Sequence, residues 1–302
     1  MTRLLCIGMG YSATAVARLL AAEGWSVAGT SRTDAGASAI AASGFAGHVF
    51  DGVTVEPALA GAIDSATHLL ISVAPGQAAD PVLTACRDHL ARARNLRWIG
   101  YLSTVGVYGD TGGGWVDEDT PPNPRQERTI RRVHAERAWL AFGAETHRSV
   151  QIFRIAGIYG PGRNPLLNLL DGSAQRIAKP GQVFNRIHVA DIAQAVVAGI
   201  ARGIPGRIYN LTDDEPAPPD EVVACAARLL GMEPPPPIPF AEAKLSPMAA
   251  SFYADNRRVR NDRLCNELGV QLRYPTYRDG LAALAAGLRQ SGAVAPKGAA
   301  KP

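Results

Sequence analysis

The order of apolar and polar residues predicts an α/β chain with a doubly wound parallel sheet and a smaller, helix-rich carboxyl-terminal lobe. From Arg3 to Asn210, apolar runs of strand length alternate with helical patterns, as is typical of parallel strands joined by crossover helices. The run over residues 68–75 is apolar almost throughout, which indicates a strand buried on both faces. After Asn210 the alternation is lost, and proline clusters at 216–219 and 234–237 flank a single helical pattern over 220–230.

The composition is that of a globular protein with a large core, since 47% of the 302 residues are hydrophobic. The net charge of +4 is dispersed along the chain, and this favours small anionic ligands over nucleic acid. The four cysteines are far apart, which indicates free thiols in a reducing compartment rather than disulfides or a metal site. Because no leader pattern and no membrane-length apolar run is found, we expect a cytoplasmic protein without a membrane segment.

The first strand, residues 3–7, leads into a glycine-rich turn and then directly into a helix. The turn reads Gly8-Met9-Gly10-Tyr11-Ser12-Ala13. Gly8 permits a tight turn, Gly10 lets the backbone approach a pyrophosphate, and the small Ala13 lets the helix pack close to the strand. The N–H groups at the helix start, including those of Tyr11 and Ser12, would face the phosphates. This context predicts dinucleotide binding, with an ordinary tight turn as the alternative.

The end of the second strand, residues 25–32, is where such folds distinguish NAD from NADP. Ser31 and Arg32 occupy the position at which an acidic residue would bind the ribose 2′-hydroxyl. Because a guanidinium suits a 2′-phosphate and no carboxylate is present to repel it, we expect NADP, with NAD still possible. The alternative is that Arg32 is an ordinary surface residue.

Two further strands place residues beside the predicted dinucleotide. The third strand, 47–52, carries Asp51 near its end, where the carboxylate either binds the adenine amino group or caps the following turn. The fourth strand ends in Val73, Ala74 and Pro75, which we expect beside the cofactor because ligands of open α/β sheets bind at the carboxyl ends of strands. A helix over 80–94 follows.

The fifth strand, 97–104, is predicted to continue through Tyr108 and Gly109 into a long polar loop at 110–124. We expect that loop to cover a substrate. A charged helix over 126–142 comes next, and a sixth strand over 151–162 leads into a glycine-proline turn. A helix over 189–201 and a strand over 207–211 complete the alternation.

Several segments in this order resemble the extended short-chain dehydrogenase/reductase superfamily, the NAD-dependent epimerase/dehydratase type, over nearly the whole chain. They are the glycine turn, Ser103-Thr104-Val105-Gly106-Val107-Tyr108-Gly109, Arg154-Ile155-Ala156-Gly157-Ile158-Tyr159-Gly160-Pro161-Gly162, Arg186-Ile187-His188-Val189-Ala190-Asp191, Tyr209 through Pro216, and Asn256 through Pro275. The resemblance implies a Rossmann sheet with NAD(P) over the strand ends, a carboxyl-terminal lobe over a small-molecule substrate, and frequent homodimers.

The resemblance also implies a catalytic set of a Ser or Thr after the fifth strand and a Tyr-x-x-x-Lys on the next helix. Thr104 matches the hydroxyl position, with a local backbone hydrogen bond as its alternative role. Aligning Glu136 with the family's usual Ala-Glu places Arg128 at the tyrosine position and Arg132 at the lysine position. Arginine stays protonated and cannot act as a general acid, although Arg132 can hold ribose or phosphate oxygens. The chain thus resembles the atypical members that lack the Tyr-Lys pair.

A missing tyrosine leaves three other candidates for the proton donor. Tyr108 follows Thr104 and is expected at the mouth of the site, His134 lies on the relevant helix, and His188 precedes a later helix. We take Thr104 and Tyr108 as the candidate catalytic residues. The predicted function is an NADP-preferring oxidoreductase or epimerase-like enzyme with a non-standard acid or base. The alternative is a non-catalytic NADP-binding sensor or scaffold.

The predicted domain boundaries interleave two parts. Residues 1–160 and 185–212 form the dinucleotide-binding domain, and residues 161–184 and 213–290 form the substrate lobe. A flexible tail is expected at 291–302, since this end is rich in alanine, glycine, proline and lysine.

Overall fold

The computed structural model describes residues 2–292, so most of the predicted tail lies outside the described residues. Seven strands form the central sheet, and six short strands form three small sheets beside it. In chain order the strands are β1 (Arg3–Ile7), β2 (Ser26–Ser31), β3 (Ala46–Val49), β4 (His68–Ile71), β5 (Trp98–Thr104), β6 (Trp115–Val116), β7 (Ser149–Ile155), β8 (Gly157–Tyr159), β9 (Ile177–Ala178), β10 (Arg186–His188), β11 (Ile208–Leu211), β12 (Ile238–Pro239) and β13 (Arg258–Val259).

The helices connect these strands and cover both faces of the sheet. They are α1 (Tyr11–Ala22), α2 (Asp34–Ala42), α3 (Pro57–Ser65), α4 (Pro81–Arg92), α5 (Glu127–Thr146), α6 (Pro165–Leu170), α7 (Val189–Arg202), α8 (Pro219–Leu230), α9 (Pro247–Tyr253), α10 (Asp262–Asn266) and α11 (Tyr277–Gln290). Their starts follow local chemistry. Asp80 accepts hydrogen bonds from two first-turn N–H groups of α4, and Thr276 forms a capping box with Asp279 at the start of α11.

The central sheet is entirely parallel, with the strand order β11-β7-β5-β4-β1-β2-β3. The direction of strand addition reverses between β1 and β4. In doubly wound sheets ligands bind at the carboxyl edge beside such a reversal. The predicted fold class is therefore confirmed, and the expected binding edge is the one to which Gly8 and Ser72 belong.

Alternation along β1 divides the core between the two faces of this sheet. Leu4 and Cys6 pack into one buried cluster, and Leu5 and Ile7 pack into the other, as the two-residue period of a strand requires. All four residues of β4 are buried, in agreement with the apolar run predicted there. A third cluster packs α6, α8 and α11 against Tyr159. The four cysteines are free thiols, three of them buried.

The structure corrects two expectations around β5. Residues Val105–Tyr108 form a 3-10 turn rather than a continuation of the strand. The loop at 110–124 contributes no residue to the cleft described below. Instead it contains β6, which pairs with β13, and its Glu118 side chain accepts a hydrogen bond from the Asn210 backbone N–H. These contacts hold the loop against the sheet edge and the carboxyl-terminal segment, so it does not cover the cleft.

Within residues 2–292 no helix is both long enough and apolar enough to cross a membrane.

Candidate functional site

A cavity of about 920 Å³ opens at the carboxyl edge of the sheet, and we call it the cleft. Its walls come from the end of β5, one face of α5, the segment after β8, β10 and α9. Residues that represent these walls are Thr104, Arg132, Arg163, Arg186 and Phe252. The cleft therefore lies between the sheet edge and the carboxyl-terminal lobe, where the doubly wound fold leads one to expect a ligand.

The glycine turn at the end of β1 is shaped by two different requirements. Gly8 has a φ of +85°, and a Cβ there would lie 2.8 Å from Val73 Cγ2, so a side chain is excluded by both conformation and space. The Gly8 N–H donates to Thr30 Oγ1 at 2.8 Å. A Cβ on Gly10 would meet no atom within 4 Å. Gly10 therefore faces open space rather than protein.

The first turn of α1 presents unpaired N–H groups toward that space. No hydrogen bond is found for the N–H groups of Tyr11, Ser12 and Ala13 within the described part of the chain, and no side chain caps the helix. Ala13 is fully buried against the sheet, while Ser12 also lines the cleft. The Tyr11 hydroxyl donates to Pro161 O at 2.9 Å and so ties α1 to the segment after β8. Free N–H groups at a helix start beside an open glycine fit the pyrophosphate of a dinucleotide.

The other predicted cofactor residues lie around this turn. Ser31 ends β2, and Arg32 follows it as an exposed side chain with no hydrogen bond or ion pair to the described residues. Asp51 accepts hydrogen bonds from the N–H groups of Val53 and Thr54, both at 2.8 Å. These bonds hold the pKa of Asp51 below its usual value. Of the two roles predicted for Asp51, capping the following turn is the one for which hydrogen bonds are observed.

The segment after β4 lies next to the glycine turn. Val73 is the residue that a Gly8 side chain would strike, and Ser72 lines the cleft. Ala74 and Pro75 continue along the same edge, Ala74 exposed and Pro75 half-buried.

Thr104 ends β5 with its side chain in the wall of the cleft. Its Oγ1 accepts a hydrogen bond from the Gly106 N–H at 3.1 Å, so the local backbone bond considered from the sequence does form. The hydroxyl hydrogen is not used in that bond, because the hydroxyl is the acceptor. Thr104 is therefore able to donate a hydrogen bond to a ligand oxygen in the cleft.

Arg128 and Arg132 of α5, which are predicted to stand at the family's Tyr and Lys positions, both line the cleft. Arg132 Nη1 donates to Tyr101 Oη at 3.0 Å and to Leu102 O at 2.9 Å, which leaves Nε and Nη2 for a ligand. Arg128 lies over the Phe252 ring at 4.4 Å from its centroid, and it donates to Gln126 Oε1 at 2.8 Å and Ser251 Oγ at 3.2 Å. Neither arginine has a carboxylate within ion-pair distance in the described residues.

The expectation that Tyr108 lies at the mouth of the site is wrong. Its side chain is 1% exposed, its hydroxyl donates to Asn210 Oδ1 at 2.8 Å, and the Arg154 guanidinium lies 4.8 Å from its ring centroid. The 3-10 turn at Val105–Tyr108 rotates the ring inward, behind the cleft wall. Burial raises the pKa of Tyr108. This position argues against a catalytic role for the residue.

The two histidine candidates also lie outside the cleft. His134 is exposed on another face of α5. His188 is 4% exposed, and its Nδ1 accepts a hydrogen bond from the Ala190 N–H at the start of α7. Burial lowers the pKa of His188 to about 4, so the ring is neutral near pH 7. Its observed role is to cap α7.

Two features of the site are not found by the sequence reasoning. A buried ion pair behind Thr104 joins Arg154 Nη2 to Glu136 Oε2 at 2.8 Å, and Ser103 Oγ donates to Glu136 Oε1 at 2.5 Å. The family-like Ala-Glu pattern marked Glu136 but not its partner. The second feature is a set of three further arginines in the cleft wall, Arg163, Arg186 and Arg257. They lie far apart in the sequence, and the fold brings them together.

The sequence of this chain matches one family model and is similar to several known proteins. The family model "NAD dependent epimerase/dehydratase family" matches residues 6–212. Protein YeeZ of Escherichia coli strain K12 is 30% identical over 288 residues, which cover 91% of this chain and 97% of YeeZ. A 3-diazoavenalumate denitrifying reductase of a Streptomyces species is 30% identical over 214 residues, covering 66% of this chain and 68% of the reductase.

A solved structure is similar over almost the full length. It is a functionally unknown conserved protein from Silicibacter pomeroyi, 50% identical, with a TM-score of 0.86 and coverage of 95% of this chain and 99% of that one. This chain therefore shares its overall fold with that protein.

Proposed function

Since the chain belongs to the NAD-dependent epimerase/dehydratase family, we propose that it is an NADP-preferring oxidoreductase or epimerase-like enzyme acting on a carbonyl or sugar-nucleotide-like substrate. One observation supports this above the others. The glycine turn, with its free first-turn N–H groups, and the Thr104 hydroxyl border the same carboxyl edge of the sheet. A dinucleotide bound at the turn would extend along that edge toward Thr104.

In this proposal residues 1–160 and 185–212 bind the dinucleotide, and residues 161–184 and 213–290 form the substrate lobe. This division is supported by the third core cluster, whose members come from the segment after β8, from α8 and from α11. Phe252 and Tyr253 of α9 bring this lobe to the cleft. The dinucleotide would lie on the sheet edge, and the substrate would lie between that edge and the lobe.

The residues of the cleft have separable roles in this proposal. A bound nicotinamide supplies or accepts a hydride. Thr104 donates a hydrogen bond to the substrate oxygen and polarises its bond to carbon. Arg132 uses Nε and Nη2 to hold ribose or phosphate oxygens, as expected of its position. Because α5 has no tyrosine, the proton at the substrate oxygen is exchanged with water in the open cleft or with another acid.

The proposed NADP preference depends on Arg32. Its guanidinium is exposed beyond the end of β2 and is free of partners in the described residues, so it can bind a 2′-phosphate in a bidentate manner. The nearest carboxylate in sequence, Asp34, lies on the following helix α2. The 2′-phosphate of NADP would add a charge-assisted contact that NAD lacks.

Fluorescence titration with NADPH and with NADH tests the cofactor proposal directly. We expect tighter binding of NADPH, and about a tenfold or greater loss of that affinity in Arg32→Ala, since hydrogen bonds to charged groups contribute roughly 1.5–3 kcal/mol. NADH affinity should not change. Arg18→Ala, an exposed arginine farther along α1, is the matched control. Equal affinity for the two dinucleotides would overturn the NADP preference, and binding of neither would overturn the enzyme proposal.

The absence of tyrosine and lysine from α5 favours a second candidate function. In that case the protein binds NADP without turnover and changes its affinity for a partner with the redox state. Stereospecific NADPH oxidation with a carbonyl substrate would exclude this candidate. A partner interaction that responds to NADPH, together with an absence of turnover, would support it.

A further inference from the structure

The charges that line the cleft are strongly unbalanced. Five arginines contribute to its wall, against a single carboxylate, that of Asp255. The arginines are Arg128, Arg132, Arg163, Arg186 and Arg257. Bringing like charges together in a partly desolvated cavity costs free energy unless a ligand of opposite charge neutralises them. The cavity is therefore built for an anion.

A dinucleotide accounts for only part of this excess. Arg132 occupies the position expected to hold ribose or phosphate oxygens. Arg163 lies two residues after Pro161, whose carbonyl accepts the Tyr11 hydrogen bond, and its charge acts on the Tyr11 hydroxyl, so it lies close to the phosphate-facing end of α1. These two arginines belong with the cofactor. Arg128, Arg186 and Arg257 remain for the substrate side, with Asp255 as their only carboxylate in the wall.

Arg257 and Arg128 are held in place by different kinds of contact. Arg257 Nη1 donates to Gly109 O and lies 3.3 Å from Asp255 Oδ2. Burial lowers the pKa of Arg257, the carboxylates of Asp255 and Asp110 oppose this shift, and the charge of Arg128 adds a smaller lowering. Arg128 is oriented only by neutral groups, namely Gln126, Ser251 and the Phe252 ring. Its Nη1 has no acceptor in the described residues, so the guanidinium is oriented but not neutralised.

These two arginines belong to the wall that carries Thr104. A Cβ on Gly106 would lie 3.0 Å from Thr129 Cγ2 and 3.3 Å from Thr104 Oγ1, which shows how closely the start of α5 packs on the end of β5. Arg128 immediately precedes Thr129. Because Arg128 and Thr104 both line the cleft, an anion bound by Arg128 would share the cleft with the hydroxyl proposed to contact the reacting oxygen.

We propose that Arg128 and Arg257 form an anion subsite, and that the substrate carries a carboxylate or phosphate group that binds there, near Thr104. The chemistry follows from the donors, since planar guanidinium groups bind both anions in a bidentate manner. The proposal deepens the proposed function by naming a substrate class. It requires only that the cleft binds a ligand, not that a hydride is transferred.

Calorimetric titration of the full chain with inorganic phosphate and with malonate tests the subsite, at fixed ionic strength, with and without saturating NADPH. We expect at least one probe to bind, and the probe that binds identifies phosphate or carboxylate as the preferred group. Arg128→Gln should weaken that binding by about tenfold or more. Arg131→Gln should leave it within about twofold, because Arg131 pairs with Glu127 on the same helix and lies outside the cleft wall.

Three outcomes would overturn the subsite. They are no binding of either probe, equal affinity in Arg128→Gln and the parent protein, and displacement of the probe by NADPH, which would assign the arginines to the cofactor. The titration also separates this proposal from the proposed function. Probe binding that depends on Arg128 in a protein that binds no dinucleotide would retain the subsite and refute the enzyme proposal. Dinucleotide binding without any probe binding that depends on Arg128 would refute the subsite alone.

Discussion

Replacing Glu136 with Gln is the perturbation whose effect follows most directly from the structure. Glu136 and Arg154 have side chains that are each 3% exposed, and the carboxylate accepts from Arg154 Nη2 at 2.8 Å, from Arg154 Nε at 3.2 Å and from Ser103 Oγ at 2.5 Å. The amide keeps the shape but removes the negative charge. Arg154 is then left buried without a counter-charge, which costs roughly 3–5 kcal/mol of unfolding free energy.

Thermal unfolding followed by circular dichroism measures this loss. A change of 1 kcal/mol shifts the Tm of a domain of 150–250 residues by about 2–4 °C, so the expected decrease is about 6–20 °C. Glu127→Gln is the matched control on the same helix. Its carboxylate is 88% exposed and 3.8 Å from Arg131, and such surface pairs contribute only about 0–1 kcal/mol.

The double variant Glu136→Gln with Arg154→Met separates the lost attraction from the unpaired charge. Removing the guanidinium should restore a large part of the stability, because replacing both members of a buried ion pair by uncharged groups is often close to neutral. A single-variant loss below about 1 kcal/mol would refute the reasoning. So would a double variant that is less stable than Glu136→Gln alone, since it would show that Arg154 stabilises the fold without its partner.

Substitutions at four other positions have equally definite expectations. Gly8→Ala should lower the Tm, because Gly8 has a positive φ and a Cβ there would lie 2.8 Å from Val73. Gly10→Ala should keep the parent Tm but lose NADPH affinity in a fluorescence titration. An unchanged NADPH affinity in Gly10→Ala would remove Gly10 from the pyrophosphate site. Thr104→Ala should lower kcat at least about tenfold and leave NADPH affinity unchanged, while Thr104→Ser should stay partly active. Turnover by Thr104→Ala equal to that of the parent protein would exclude the proposed role of the hydroxyl. Burial raises the pKa of Asp213 from 3.8 to about 8. Ionising this carboxyl therefore lowers the stability of the folded state progressively as the pH rises from about 4 to 8. The Tm of Asp213→Asn minus the Tm of the parent should grow across that range, and a constant difference would contradict the raised pKa.

Local patterns were sufficient to predict the parts of the fold whose cause is itself local. The β1–α1 turn needs small residues at fixed positions, and a strand buried on both faces needs an apolar run, so both are visible in a short window. For the same reason the helix predicted over 80–94 agrees closely with α4, whose first turn Asp80 caps.

Contacts between distant segments account for what could not be predicted. Tyr108 seemed close to the site because it is near Thr104 in sequence, but one 3-10 turn is enough to bury its ring against Asn210. The loop at 110–124 looked free because β6 has only two residues, and its partner β13 lies far along the chain. Arg163, Arg186 and Arg257 carry no signal in the sequence that they line one cavity, because arginine is usually a surface residue and the three lie far apart in the chain.

The pairing of β6 with β13 also bears on how the protein is made. Trp115 pairs with Arg258, and at about 5–20 residues per second a ribosome synthesises the second of these residues roughly 7–30 s after the first. The glycine turn, β2 and β4 all precede β6 in the chain and are therefore synthesised before it. A nascent chain can thus assemble its nucleotide-facing edge early, while the opposite wall, with Asp255 and Arg257, forms only after the segment that leads into β13 has been synthesised.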